Sequence, residues 1–156
     1  MIMAENELHI TWRHLPHWSL NGAPYFITAR VAKGKLVKDE QILVLKHIKG
    51  GHKKFYTLVA AIVMPDHFHV IVMADLGFDR KSIMKGIKGA SAHKVNARRR
   101  TTGSVWQDES FDRIIRSEAE LSGKLQYMLN NPLKAGLTDD PWNYHGWYCN
   151  EEFFKP

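Results

Sequence analysis

The sequence predicts an α+β domain with a ferredoxin-like split β-α-β core, an antiparallel sheet with helices on one face. An extra C-terminal helix and irregular N- and C-terminal arms complete it. Three observations predict this. The apolar run Leu58 to Val72 breaks only around Pro65-Asp66 and reads as a hairpin. Three other segments repeat apolar residues at helical spacing. The patterns follow in the order strand, helix, two strands, helix, strand, with one helix left over.

Residues 1–24 form an N-terminal arm without periodicity, and two Trp, Arg13 and three His within residues 9–24 suggest an ordered segment. Tyr25 to Val31 is the first strand and Gly34-Lys35 a loop. Asp39-Glu40-Gln41 opens a helix with Ile42, Leu45 and Ile48 as its apolar positions, closed by Gly50-Gly51. The hairpin follows, ending at Asp75-Leu76-Gly77. A second helix runs from about Asp79 toward Arg98, with Ile83, Ile87, Ala90 and Ala97 as its inner positions. Thr101-Thr102-Gly103 breaks it, and Trp106 to Ile115 supplies loop and a fourth strand. Ser117-Glu118-Ala119-Glu120 is a capping-box pattern that starts a third helix, stopped or bent by Pro132. Residues 25–137 make the core, and 138–156 an aromatic, irregular tail.

At 156 residues, 44% hydrophobic and 24% charged, the chain fits one globular domain able to bury a core. No apolar run approaches the roughly 20 residues of a membrane span, and Met1 to Glu7 carries no basic signal region. The single Cys149 excludes an intramolecular disulfide, so a cytoplasmic setting is expected. Net charge is +6, yet the segment Arg80 to Arg100 alone holds eight cations and no acid: Arg80, Lys81, Lys85, Lys88, Lys94, Arg98, Arg99 and Arg100. Such a concentration points to a polyanion, nucleic acid first; a solvated helix face is the alternative.

In Met64-Pro65-Asp66-His67-Phe68-His69, the two histidines lie on one face of a strand and Phe68 on the other. Two imidazoles on one rigid strand can grip a divalent ion, or they simply line a solvated face. On the third helix Leu121, Leu125, Met128 and Leu129 form the apolar stripe. Tyr127 falls off that stripe, with Asn131 one turn later and Lys124 on the same side, while Gly123 leaves space above the ring. This is either an active constellation or a surface aromatic followed by an Asn-Pro helix boundary. Tyr144 and Tyr148 are the rival tyrosine pair.

Taken together these stretches resemble the single-tyrosine transposases of the HUH (His-hydrophobic-His) nucleases, above all the REP-associated tyrosine transposases, which act on repetitive extragenic palindromes. The matching segments are Arg13 to Trp18, Tyr25 to Thr28, Met64 to Val70, Trp106 to Asp112 and Tyr127 to Leu137, in the family's order. The resemblance implies His67, His69 and Asn131 as metal ligands and Tyr127 as nucleophile. Related insertion-sequence transposases carry Gln at the place of Asn131. The implied reaction cleaves single-stranded or hairpin DNA through a 5′-phosphotyrosine link and rejoins it without ATP. Two imidazoles, an amide oxygen and open positions suit Mg²⁺ or Mn²⁺. A monomer is expected over a homodimer.

Phosphate contacts are expected from Lys81, Lys85, Lys88, Lys94, Arg98, Arg99 and Arg100, with Lys124 at the phenol and Arg13 and His14 reading unpaired bases alongside Trp12 and Trp18. Two other readings stay open: a hairpin-binding regulator without strand transfer, and a metal-dependent phosphodiesterase using water.

Overall fold

The computed structural model describes residues 11–12 and 22–155. In chain order they form β1 (Thr11–Trp12), β2 (Tyr25–Val31), α1 (Lys38–Gly50), β3 (Tyr56–Val63), β4 (His67–Ala74), α2 (Arg80–Arg99) and β5 (Trp106–Ile114). There follow α3 (Glu118–Lys134), a 3-10 turn at Pro141–Asn143, β6 (Trp147–Cys149) and β7 (Phe154–Lys155). Five strands make one antiparallel sheet in the order β5-β2-β4-β3-β6, and β1 pairs separately with β7. The four strands of the expected core carry the split β-α-β topology.

Strand alternation divides the sheet into two faces. Ile27, Ala29 and Val31 of β2 and Phe68, Val70 and Val72 of β4 pack beneath α1 and α2. The opposite face, with Phe26, Ile62 and Ile71, receives α3 through Leu121, Leu125, Met128 and Leu129, the stripe read from the sequence. Leu121, Leu125 and Met128 are completely buried, and each such side chain contributes about 1.5–3 kcal/mol. The two core helices therefore share one face, and the extra helix closes the other.

The β3–β4 turn is short because Pro65 cannot donate and Asp66 sits at the corner; Met64 N–H donates to the His67 carbonyl across it at 2.8 Å. The segment after β2 holds it from outside, with Val31 N–H on the Asp66 carbonyl (2.8 Å) and Leu36 N–H on that of Pro65 (2.7 Å). The first residue of β4, His67, is thereby held in place.

Several local expectations are corrected. Ile42 is exposed, and α1 instead buries Glu40 and Gln41. Glu40 is paired with Arg99 and Arg98 of α2, and Gln41 donates to the Leu36 carbonyl and accepts from Tyr144, so both polar groups are satisfied. On α2, Ala90 and Ala97 face solvent, while Met84, Ser91 and Val95 turn inward. Ser91 can be buried because its hydroxyl accepts the Trp106 indole N–H at 2.8 Å. Pro132 does not end α3, which continues to Lys134. The aromatic tail is not wholly irregular: β6 joins the sheet beside β3, and Tyr144, Trp147 and Phe153 enter the core under α3.

Candidate active site

His67 and His69 open β4 on the α3 side of the sheet, with ring centroids 4.7 Å apart. Register places Arg30 beside His67 and Thr28 beside His69 on β2. The His69 ring is 3% exposed as a residue, lies against Phe26 at 4.9 Å, and shares a 2.7 Å hydrogen bond between Nδ1 and the Thr28 hydroxyl. Burial, reinforced by His67, Arg30 and Lys124 and opposed by Asn131, pushes His69 down to about 3, so it is neutral at pH 7. Its Nε2 is buried and, among the described residues, makes no hydrogen bond of full geometry. An orphaned nitrogen of this kind costs about 1–3 kcal/mol unless something coordinates it.

His67 is held at both nitrogens. Nδ1 lies 2.7 Å from the Asp66 carboxylate, and Nε2 lies 2.9 Å from Asn131 Oδ1. The orientation of Asn131 follows from its other bond: Nδ2 donates to the Tyr127 carbonyl at 2.7 Å, which can only accept. With Nδ1–H donated to Asp66, two lone pairs meet at Nε2 and Oδ1 unless a proton or a cation stands between them.

These donors fit a hard divalent ion. Neighbouring ligands of an octahedral ion with bonds of about 2.1 Å stand about 3 Å apart, close to the observed His67–Asn131 spacing. Asp66 behind His67 and Thr28 behind His69 hold the second ring nitrogens, as outer partners do in metal sites built on imidazoles. Among the described residues no group of three His, Cys, Asp or Glu side chains converges, and the amide oxygen beside His67 belongs to Asn131.

Tyr127 stands beside this pair in the same chain. Its ring is 5.4 Å from that of His69, it is 50% exposed, and Lys124 Nζ lies 6.0 Å from its centroid and 4.7 Å over Phe26. A Cβ on Gly123 would meet nothing within 4 Å, so the approach is open. The other tyrosines are differently placed. Tyr56 and Tyr144 are buried, donating to the Ile48 carbonyl (2.6 Å) and to Gln41 Oε1 (2.8 Å). Burial raises Tyr56 and pushes Tyr144 up to about 12. Tyr25 lies near Arg80, and Lys49 covers Tyr148. A cleft of about 530 Å³ runs from His69 and Tyr127 past Thr28, Arg30 and Lys124 to Phe111 on β5.

The remaining candidates separate. Lys81 and Lys85 are exposed, in a groove of about 530 Å³ between α2 and β5. Lys88 is half-buried there and donates to the carbonyls of Gln107 and Asp108 and to the Ser110 hydroxyl. Arg98 and Arg99 bind α1 through Asp39 and Glu40, whereas Lys94 and Arg100 are exposed. All of these sit on α2 or its cap, across the sheet from the histidines. Arg13 and His14, and Trp18 with them, lie outside the described residues. Thr28, Arg30, Asp66 and Phe111 had no expected role; the signal for Thr28 was a small hydroxyl set between Ile27 and Ala29.

A family model described as "Transposase IS200 like" matches residues 29–129, more than half of the chain. A protein of Haemophilus influenzae (strain ATCC 51907 / DSM 11121 / KW20 / Rd), provisionally named a REP-associated tyrosine transposase, is 24% identical over 109 residues. The match spans 62% of this chain and 61% of that relative's length. A solved structure of a REP-associated tyrosine transposase bound to a REP hairpin superposes with a TM-score of 0.66 at 21% identity, over 84% of this chain and 79% of that one, a likeness of fold. The matched residues span the sheet-borne histidines and reach Tyr127, and on that match the chain belongs to the IS200-like transposase family.

Proposed function

We propose that the protein nicks and rejoins single-stranded DNA at hairpin-forming repeats, through a 5′-phosphotyrosine intermediate on Tyr127. The observation that carries this is the meeting, within one chain, of an exposed phenol and two sheet-borne imidazoles with ring centroids 5.4 Å apart at His69. Family membership and the hairpin bound by the structural relative support the choice of DNA. Because the histidines and the tyrosine come from the same chain, a monomer suffices.

His67, His69 and Asn131 would hold Mg²⁺ or Mn²⁺, which polarises the scissile phosphate when bound. Tyr127 Oη forms a bond to phosphorus and the bond to the 3′ oxygen breaks. The phenolic proton passes to solvent, and the departing 3′ oxygen takes one up. Lys124, with Nζ 6.0 Å from the Tyr127 ring centroid, would offset charge on the non-bridging oxygens. A 3′-hydroxyl from either strand can attack the phosphotyrosine in reverse, so the bond energy is conserved. Lys81, Lys85, Lys94 and Arg100, exposed on the far face, would engage more distant phosphates.

The experiment is a denaturing gel of labelled hairpin DNA carrying single-stranded flanks, incubated with protein and Mn²⁺. A protein-linked DNA band that disappears in Tyr127→Phe is expected. Cleavage without the link would point to the water-using phosphodiesterase, and a mobility shift without cleavage to the binding regulator.

A further inference from the structure

Phe111 is 58% exposed on β5, an edge strand of the sheet, and its side chain lines the same cleft as Tyr127. Thr28 pairs with Phe111 on one side and with His69 on the other. Phe111, Thr28 and His69 therefore form one row across three strands. Strands stand about 4.8 Å apart, which puts Phe111 about 10 Å from His69. A nucleotide spans such a distance from phosphate to base.

Of the other cleft aromatics, Tyr127 is the proposed nucleophile and Phe26 is unsuited to a ligand. It is buried, stacked on His69 and covered by Lys124. Phe111 is by contrast more than half exposed, and among the described residues no ring packs against it. Charge orders the cleft further. Arg30 and Lys124 lie at the imidazole end, while Glu109, two residues before Phe111 in β5, is the one carboxylate among the described lining residues. Phosphates are drawn to the cations and repelled from the wall that carries Phe111.

We infer that Phe111 is the platform of a nucleobase subsite: it stacks one unpaired base next to the scissile phosphodiester and so sets which bond is presented to Tyr127. The inference rests on the proposed DNA chemistry and deepens it. Stacking on an aromatic face tolerates any base and orders a flexible strand, which is what positioning a single phosphate requires.

The test uses the full chain with Tyr127→Phe, which cannot form the covalent link, and hairpin oligonucleotides with single-stranded flanks in which an abasic residue is walked along the flank. One abasic position is expected to weaken binding about 5- to 150-fold, and Phe111→Leu on intact DNA by a similar factor. The two losses together should not exceed either alone, because they remove the same contact. Phe111→Trp should keep the parent affinity, and 2-aminopurine at that position should be quenched by the parent but not by Phe111→Leu. Parent-like binding and quenching in Phe111→Leu, or abasic and Phe111 losses that multiply, would overturn the subsite. If wild-type protein forms the DNA adduct in that case, the subsite alone falls. If neither adduct nor flank binding is seen, the DNA chemistry falls with it.

Discussion

Asn131 turns its amide oxygen, not its nitrogen, toward His67 Nε2 at 2.9 Å, because the Tyr127 carbonyl one turn earlier takes the nitrogen. Pro132 follows directly, yet α3 runs through it to Lys134. A side chain near a helix end is thus fixed in rotation by its own helix and delivered to the first residue of β4. The contact joins α3 to the sheet at the place where the tyrosine and the histidines meet.

Divalent cation binding should depend on this contact. Asn131→Leu keeps the branched outline and removes the oxygen; Mn²⁺ affinity, measured by isothermal titration calorimetry, is expected to fall at least tenfold, about 1.4 kcal/mol. Asp66→Asn, which weakens the support behind His67, should cost about 10- to 100-fold. Unchanged Mn²⁺ affinity in both variants would remove His67 and Asn131 from the ligand set.

The cations of α2 should divide into two groups. Lys81→Gln and Lys85→Gln alter exposed side chains and should leave stability within about 0.5 kcal/mol. For DNA affinity, each should lower the dependence on salt by roughly 0.7–0.9 in log–log slope if it meets a phosphate. Arg99→Gln should do the reverse. It strips Glu40, only 2% exposed, of its closest partner and leaves the Val37 N–H at 2.9 Å and the weaker Arg98 contact at 3.8 Å. A loss of about 1–3 kcal/mol in urea unfolding is expected, with little change in salt slope.

Acid sensitivity should trace to the same carboxylate. The hydrogen bond from Arg99 holds the Glu40 carboxyl below its ordinary 4.5, with burial opposing and the Val37 N–H and both arginine charges assisting. A lowered folded value means stability that is fully present above about pH 4.5 and lost as pH falls through the folded value. Thermal melts from pH 7 to pH 3 should show this decline, and Glu40→Gln should flatten that part of the curve while lowering stability at neutral pH.

Gly146 should tolerate no side chain. A Cβ there would lie 2.2 Å from the Val63 carbonyl oxygen and 2.8 Å from the Tyr144 ring. The close approach lets the Gly146 carbonyl accept from Val63 N–H at 2.8 Å and seats β6 beside β3. Gly146→Ala should destabilise by about 1–3 kcal/mol, read as a lower urea midpoint. An unchanged midpoint would mean that the tail shifts without cost.

Local patterns by themselves determined the hairpin from Leu58 to Val72, the stripe Leu121, Leu125, Met128 and Leu129, and the placement of Tyr127 off that stripe. Each follows from a period of two or 3.6 within a single element, so a short window carries it. What lay beyond such a window was decided by contacts between elements. Glu40 lies inside where Ile42 was expected because Arg99, 59 residues away, neutralises it, and Ser91 lies inside where Ala90 was expected because Trp106 bonds it. The neighbours of His69 on the sheet, Thr28 and then Phe111, depend on the strand order β5-β2-β4, which no periodicity encodes. Residue spacing placed the imidazoles and the phenol on their own elements. Only packing α3 on the face away from α1 and α2 brought them together, since two apolar faces of one sheet each need a cover.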